Sequence, residues 1–125
     1  MRKAKAAAAT LLLATGIVTA SGTAATAGDQ RPASAAEARA QATCPAEHVC
    51  FYPGKDYTGT PQNVNPANLP VCGATPLIAY SVYNNSRDVY TFYSGADCTG
   101  GGQTINPATG VPNFDSIGER VASWR

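Results

Sequence analysis

The sequence of 125 residues predicts an all-β domain of two packed antiparallel sheets. Three observations support this fold class. The segment 51–67 recurs without a gap at 92–108, with ten of seventeen positions identical. Short runs of β-branched and aromatic residues end at Pro, Gly, Ser or Asn, as strands do. No amphipathic segment of helical period with caps exceeds two turns. The repeated unit is therefore made of short strands.

The repeat divides the folded part of the chain, residues 44–125, into two motifs. Motif one covers about 44–85 and motif two about 86–125. A unit of this size cannot bury an apolar face by itself, so neighbouring copies have to pack together. The pattern predicts one domain in which each motif depends on the other.

The residues before this domain have the pattern of an export signal and a leader. A basic start precedes a short apolar run and small residues at 25–27, which is typical of a cleaved secretory signal peptide. The run is too short to span a bilayer of about 30 Å. We therefore expect residues 1–27 to be a signal peptide and the protein to be secreted, without membrane contact after cleavage. Residues 28–43 hold six alanines and little to bury, which predicts a flexible leader with at most a marginal helix.

Strands follow in the same order within each motif. The first strand ends at a turn-forming pair, Pro53-Gly54 in motif one and Ser94-Gly95 in motif two. The second strand stops at an Asn-Pro pair, and a last strand closes the motif. The predicted strands are residues 49–52, 63–64 and 78–83 in motif one, and 89–93, 103–105 and 121–124 in motif two.

All four cysteines, Cys44, Cys50, Cys72 and Cys98, fall in the domain. An even number in a small exported domain predicts two disulfides, for which three pairings are possible. Cys44 and Cys50 are six residues apart around a Pro, which suits a local loop and leaves Cys72 to pair with Cys98 across the motifs. A zinc site is disfavoured, because no Cys-x2-Cys spacing occurs and His48 is the only histidine.

Charge and residue types exclude several functions. The domain has a net charge of −2 without a block of either sign, so it lacks the clustered basic face of a nucleic-acid-binding protein. His48 is the sole imidazole and is expected in a solvated loop, without a nucleophile to activate. Asp115 and Glu119 are expected to be solvated loop carboxylates rather than an acid–base pair. The sequence predicts no catalytic residue and no enzyme.

Two spaced motifs carry a specific resemblance. An aromatic residue, four residues, a second aromatic, one residue and a Gly resemble the signature of the βγ-crystallin Greek-key motif, and motif two has Cys in place of the second aromatic. A Ser in each last strand falls where that family ties down the folded first hairpin. The resemblance implies two Greek-key motifs that form one disulfide-stapled, βγ-crystallin-like β-sandwich. The positions are Tyr52, Tyr57, Gly59 and Ser81 in motif one, and Tyr93, Cys98, Gly100 and Ser123 in motif two.

Many microbial βγ-crystallins bind calcium through an Asn/Asp pair and a Ser/Thr-Ser pair before the last strand. In this chain the corresponding segments are 76–81 and 118–123, where, apart from the Tyr80 phenol, only Glu119 and the final Ser of each segment offer a side-chain oxygen. Calcium needs six to eight oxygen ligands. We therefore expect no metal and no cofactor.

Segments 44–50, 81–84 and 121–125 resemble a peptidase inhibitor family, the one typified by the Streptomyces metalloproteinase inhibitor. The resemblance implies a secreted inhibitor of extracellular peptidases, in particular metalloproteases, that presents a rigid loop. A disulfide-stapled β scaffold would lower the ordering cost of binding. We expect a monomer whose partner is an extracellular protease.

Two loops are candidates for the inhibitory contact. The first, residues 70–76, contains Val71, Cys72 and Gly73, and the second, residues 110–115, contains Val111 and Phe114. Val71 and Phe114 would suit a hydrophobic pocket of the thermolysin type.

Two other functions remain open at this point. One is a toxin-like antifungal protein of the βγ-crystallin kind, although membrane-active toxins are usually strongly basic. The other is a cell-surface structural module that binds glycan through a surface of Tyr80, Tyr83 and Tyr90 around the polar loop 84–88.

Overall fold

The computed structural model of the chain describes residues 34–125. The predicted signal peptide, residues 1–27, and the first part of the leader lie outside these residues. Within residues 34–125, no helix combines the length and the apolar character that crossing a membrane requires.

Two four-stranded antiparallel sheets form the domain, which confirms the predicted all-β class. The helix α1 spans Ala35–Thr43, and the strands are β1 Val49–Tyr52, β2 Gln62–Val64, β3 Gly73–Ala79, β4 Ser81–Asn84, β5 Tyr90–Tyr93, β6 Gly102–Ile105, β7 Thr109–Val111 and β8 Val121–Trp124. The first sheet has the order β2-β1-β4-β7, and the second has the order β3-β8-β5-β6.

Each sheet combines three strands of one motif with one strand of the other. Strand β3 of motif one pairs with β8 of motif two, where Gly73 faces Trp124. Strand β7 of motif two pairs with β4 of motif one, where Val111 faces Val82. Neither motif can complete its sheet alone, so this exchange of third strands is the physical reason that the repeat needs two copies.

The core lies between the two sheets. Trp124 is fully buried at its centre, stacked on Phe92 with ring centroids 5.6 Å apart and in edge contact with Phe51 at 5.1 Å. The other buried members of this cluster are Val49, Ala79, Val82, Ile105, Phe114, Val121. Along β1, Val49 and Phe51 point into this core, whereas Cys50 and Tyr52 point to the opposite face of the sheet, which α1 covers. This alternation is expected of a strand whose two faces are both covered.

After its first strand, each motif folds a short loop back over its own sheet. Asp56 and Asp97 occupy the same place in the two loops and share a left-handed backbone, with φ 54° and 55° and ψ 35° in both. Gly59 and Gly100 follow with φ 84° and 81°, a region that side chains with a Cβ disfavour. The recurring Asp and Gly therefore serve the turn itself.

A buried serine from the last strand of each motif fastens this loop. The Ser81 hydroxyl accepts the Tyr57 N–H at 2.9 Å and donates to the Gly54 carbonyl at 2.6 Å. In motif two the Ser123 hydroxyl makes the same two contacts, with Cys98 N at 2.8 Å and Gly95 O at 2.5 Å. Both copies thus use one side chain to satisfy two backbone groups of a turn.

Replacing Ser81 by Ala is expected to lower the free energy of unfolding by about 2 to 3 kcal/mol, because the Tyr57 N–H and the Gly54 carbonyl both lose their partner. Denaturant unfolding with intact disulfides measures the change. Ser116→Ala is the control, since that residue is exposed and its hydroxyl makes a 3.3 Å contact with Gln103. Equal stability of the two variants would contradict the fastening role.

The predicted flexible leader needs correction for residues 34–43, because α1 packs on the domain. Ser34 caps the helix by accepting the Glu37 N–H at 3.1 Å. Ala40 is buried, and Glu37 Oε1 accepts the Gly110 N–H at 3.1 Å. A nine-residue helix is marginal alone in water, so its contacts with the outward side chains of the first sheet stabilise it.

Three segments depart from the predicted strand pattern by more than one residue at an end. The segment predicted as one strand, 78–83, contains the end of β3 and all of β4 except Asn84. The segments predicted as loops, 70–76 and 110–115, contain the start of β3 and the end of β7. Pro and Gly in both segments pointed to loops. An edge strand tolerates Pro, however, and β3 and β7 both lie at sheet edges.

Candidate functional site

Val71 is 89% exposed, the highest value among the exposed large hydrophobic side chains of the described residues. It lies in the Val71 loop, the four residues 69–72 that connect the turn Pro66–Asn68 to β3. On one side Leu69 packs against the core, and its N–H is bonded to the Pro66 carbonyl at 2.9 Å. On the other side Gly73 is buried at the start of β3. An apolar side chain is thus held out into solvent between two anchored neighbours.

Two disulfides staple the domain, and they are the pairs that the sequence favoured. Cys44 is joined to Cys50, with the Cα atoms 5.9 Å apart, and Cys72 to Cys98, with the Cα atoms 6.0 Å apart. The first bridge closes the connection between α1 and β1. The second ties the residue next to Val71 to the folded loop of motif two, so the exposed loop is held covalently by the other motif.

Cys98 stands where motif one has Tyr57, and the two residues do the same work by different means. Tyr57 fixes the folded loop of motif one by edge contacts with Tyr52 at 5.6 Å and Tyr83 at 6.4 Å. In motif two the disulfide from Cys98 replaces these aromatic contacts. Cys98, the residue that departs from the aromatic signature, is therefore also the residue that anchors the Val71 loop.

The second candidate loop does not present the side chains expected of it. Phe114 is fully buried in the core, so the prediction that it fills a partner's pocket is wrong. Its carbonyl accepts the N–H groups of Ile117 at 3.0 Å and Glu119 at 2.8 Å, which closes the end of the domain around the ring. Val111 is half-buried in β7 and packs against the core.

The polar candidates do not form a reactive site. Asp115 is ion-paired with Lys55 at 2.7 Å on the surface, and this hydrogen bond raises the pKa of Lys55. Glu119 is exposed, with φ 70°. His48 Nδ1 lies 2.8 Å from the Ala46 carbonyl. Within residues 34–125, no three His, Cys, Asp or Glu residues gather closely enough to hold a metal ion.

The surface of Tyr and Asn residues is smaller than expected. Tyr83 is 1% exposed, and Asn84 is buried, with its amide donating to two backbone carbonyls at 2.8 and 3.2 Å. Tyr80 and Tyr90 are half-buried, and Tyr90 packs its ring on Trp124 at 5.2 Å. Neither Tyr83 nor Asn84 is available to a glycan in this fold.

Sequence reasoning did not anticipate the covered aromatic cluster beneath α1, which contains Tyr52, Tyr57 and Tyr83. Burial, assisted by the negative charge of Glu37, raises the pKa of Tyr83 to about 12 and also raises that of Tyr57. Burial raises the pKa of Tyr52, opposed by a hydrogen bond to Thr43. These hydroxyls remain neutral at physiological pH, which suits packing and not catalysis.

An open cavity of about 410 Å³ lies beside this cluster, between α1 and the folded loop of motif one. Its walls include Arg39, Thr43, Tyr57 and Pro61. None of its lining residues belongs to the Val71 loop, and no acid–base pair lines it.

A small stapled β domain that holds out one apolar side chain on an anchored loop has the features of a binding protein. The family comparison agrees with this class. The model of Peptidase inhibitor family I36 matches residues 37–105, which is more than half of the chain. The chain belongs to this family. It is a peptidase inhibitor and not an enzyme, and its partner is a peptidase.

The matched region contains α1 from Glu37 onwards, motif one with the Val71 loop, and both disulfides. Among curated proteins, none matches the chain.

Proposed function

We propose that this inhibitor is secreted, acts on extracellular metalloproteases, and does so by inserting the Val71 loop into the substrate cleft. One observation carries the proposal. Val71 is the large apolar side chain with the greatest exposure of the described residues, and it projects from a loop whose two flanks are anchored. Exposing a Val to water has no structural benefit, whereas a hydrophobic pocket of a partner would bury it.

The anchoring explains how such a loop resists its target. Binding a mobile loop costs about 0.5 to 1.5 kcal/mol for each flexible side chain that becomes ordered. Here Leu69 in the core and Cys72 in the disulfide hold the loop before binding. If the protease cuts a bond beside Val71, the disulfide keeps the new end near Cys72 attached to the folded loop of motif two, and Leu69, packed against the core, retains the other end.

The loop chemistry favours a protease with an apolar specificity pocket. Between Asp56 and Arg87 the sequence contains no charged residue, so a trypsin-type pocket with a buried carboxylate would find no cation here. A thermolysin-type metalloprotease, whose pocket takes aliphatic side chains, suits Val71. Val111 remains a candidate for a secondary contact near the loop 110–115.

We further propose that the fold is βγ-crystallin-like with two Greek-key motifs. The exchange of third strands between sheets and the folded loops fastened by Ser81 and Ser123 support this assignment. Tyr52 and Tyr93, the first aromatic of each signature, begin these loops from the ends of β1 and β5. The domain would act as a monomer.

We propose no cofactor. Calcium would need the hydroxyls of Ser81 and Ser123, and each is already engaged with two backbone groups. Glu119 would be left as the main side-chain ligand of its segment, against the six to eight oxygens that calcium takes.

The toxin-like and glycan-binding alternatives are less well supported. The domain has a net charge of −2, and the burial of Tyr83 and Asn84 removes the centre of the candidate glycan surface. Growth inhibition and pull-down on insoluble wall polymers would test these two functions separately.

The test of the proposal is a titration of the purified, oxidised protein into a thermolysin-type protease, with subtilisin and trypsin in parallel. We expect stoichiometric inhibition of the metalloprotease, and its loss in the double variant C72S/C98S, which frees the loop. The matched control is C44S/C50S, which removes the bridge remote from Val71 and should inhibit as well as wild type. Absence of inhibition at micromolar concentration would refute the metalloprotease assignment.

A further inference from the structure

The strand that follows the Val71 loop has an apolar row that the fold does not bury. Along β3 the exposed positions alternate with covered ones, so Ala74, Pro76 and Ile78 lie on one side while Leu77 packs against the core. Ile78 is 51% exposed. Only three large hydrophobic side chains are exposed in the described part of the chain, and Val71 and Ile78 are two of them.

The position of β3 makes this row accessible to a partner. β3 is at the edge of the second sheet, so its outer side has no neighbouring strand. Edge strands usually carry charges that discourage pairing with other chains, but β3 has none, and only Pro76 interrupts its donors. The other edge strands, β2, β6 and β7, carry no exposed large hydrophobic side chain.

We propose that Ala74, Pro76 and Ile78 form a second contact strip for the peptidase that holds Val71, and that the strip lies on an apolar rim beside the substrate cleft. This rests on the proposed function of the loop. The two surfaces are continuous, because the extended chain leads from one directly into the other with no charge between them.

The size of a protein interface supports the same partner. A stable complex buries about 800 Å² on each side, which corresponds to a patch roughly 30 Å across. The eight residues from Val71 to Ile78 are separated by seven steps, which in extended chain span at most about 23 Å. A protease seated on Val71 and aligned with β3 therefore extends over Ile78, whereas the four-residue loop alone is too small for such an interface.

The experiment compares two exposed aliphatic residues that differ in place. Ile78→Ser changes the strip, and Val89→Ser is the matched control, since Val89 is 53% exposed but precedes β5 in motif two. The inhibition constant and the association and dissociation rates are measured against a thermolysin-type protease. We expect about tenfold weaker inhibition for Ile78→Ser, mainly through faster dissociation, and no change for Val89→Ser.

Val71→Asp is measured in the same series to separate the two proposals. Loss of inhibition in Val71→Asp, with Ile78→Ser equal to Val89→Ser, would overturn the strip and leave the loop intact. Full inhibition by Val71→Asp would overturn the proposal for the loop, and the proposal for the strip with it.

Sedimentation of the free protein tests whether a second copy of the chain, and not a peptidase, occupies the strip. A wild-type dimer that Ile78→Ser dissociates, with inhibition unchanged, would assign the strip to self-association instead.

Discussion

Replacing Val71 by Asp is expected to weaken inhibition of a thermolysin-type metalloprotease by more than about 100-fold. The substitution would place a carboxylate in an apolar pocket, where an unpaired charge is costly, at a central anchor of the kind whose loss costs 2 kcal/mol or more. The fold should not suffer, because the side chain is 89% exposed in the free protein. The inhibition constant and the thermal midpoint are the two measurements.

Two further variants decide how this result is interpreted. Val71→Ala keeps the loop uncharged and should weaken inhibition by about tenfold, since it removes two methyl groups at about 0.8 kcal/mol each. Val89→Asp adds the same charge at another exposed valine, which precedes β5 in motif two, and should leave inhibition unchanged. If Val89→Asp and Val71→Asp weaken inhibition equally, the effect is long-range electrostatic and the loop is not the contact.

The strands that begin and end the motifs were predictable because their signals are local. The predicted strand 49–52 is β1, and 121–124 is β8. In both, the residue types favour strands, and in β1 a turn-forming pair follows at once. The second strands and the first strand of motif two deviate from prediction by one residue at an end, as element boundaries commonly do.

The third strands were not predictable in the same way. β3 and β7 contain Pro76 and Gly110 respectively, and their pairing partners belong to the other motif. Only the long-range exchange makes these segments strands. Gly110 in addition has to be small, because a Cβ there would lie 2.5 Å from the Tyr57 hydroxyl. A short stretch of sequence around these residues reveals neither the pairing with the other motif nor the closeness of Tyr57 to Gly110.

The helix α1 illustrates a signal that was present but weak. Ser34 and Glu37 have the spacing of a capping box. The Glu37 carboxylate, however, accepts the N–H of Gly110, which is 73 residues away. The composition of the leader argued for flexibility, because it contains few groups to bury. Docking depends on the Tyr cluster beneath the helix, whose members come from β1, the folded loop of motif one and β4.

Of the two candidate loops, the one with Val71 was predictable from the sequence and the one with Phe114 was not. Val71 lies between Pro70 and a cysteine that bonds to the other motif, so its loop could be identified from cysteine placement. Phe114 lies between Asn113 and Asp115, and these polar neighbours suggested exposure. The ring instead closes one end of the core. Whether an aromatic residue in a polar loop faces inwards depends on packing between the sheets, which sequence spacing does not encode.

Replacing Trp124 by Ala is expected to lower the free energy of unfolding by about 3 to 5 kcal/mol. Trp124 is fully buried and contacts three other rings, those of Phe51, Phe92 and Tyr90, at 5.1 to 5.6 Å. A small domain has a total stability of about 5 to 15 kcal/mol, so this cavity removes a large share of it. Denaturant unfolding has to be followed by circular dichroism, since Trp124 is the only Trp of the chain.

The same substitution connects the core to the inhibitory loop. Trp124 faces Gly73 across the β3–β8 pair, and Gly73 is the next residue after the disulfide that anchors Val71. Trp124→Ala should therefore also weaken inhibition at temperatures where the domain is still folded, because the base of the loop loses its support.

The control is Trp124→Phe, which keeps a ring against Phe92. No hydrogen bond is lost in this variant, because the indole N–H has no hydrogen-bond partner among the described residues. This variant should consequently lose only about 1 to 2 kcal/mol and inhibit normally. A Trp124→Ala protein that inhibits as well as Trp124→Phe would show that the disulfide alone positions the loop.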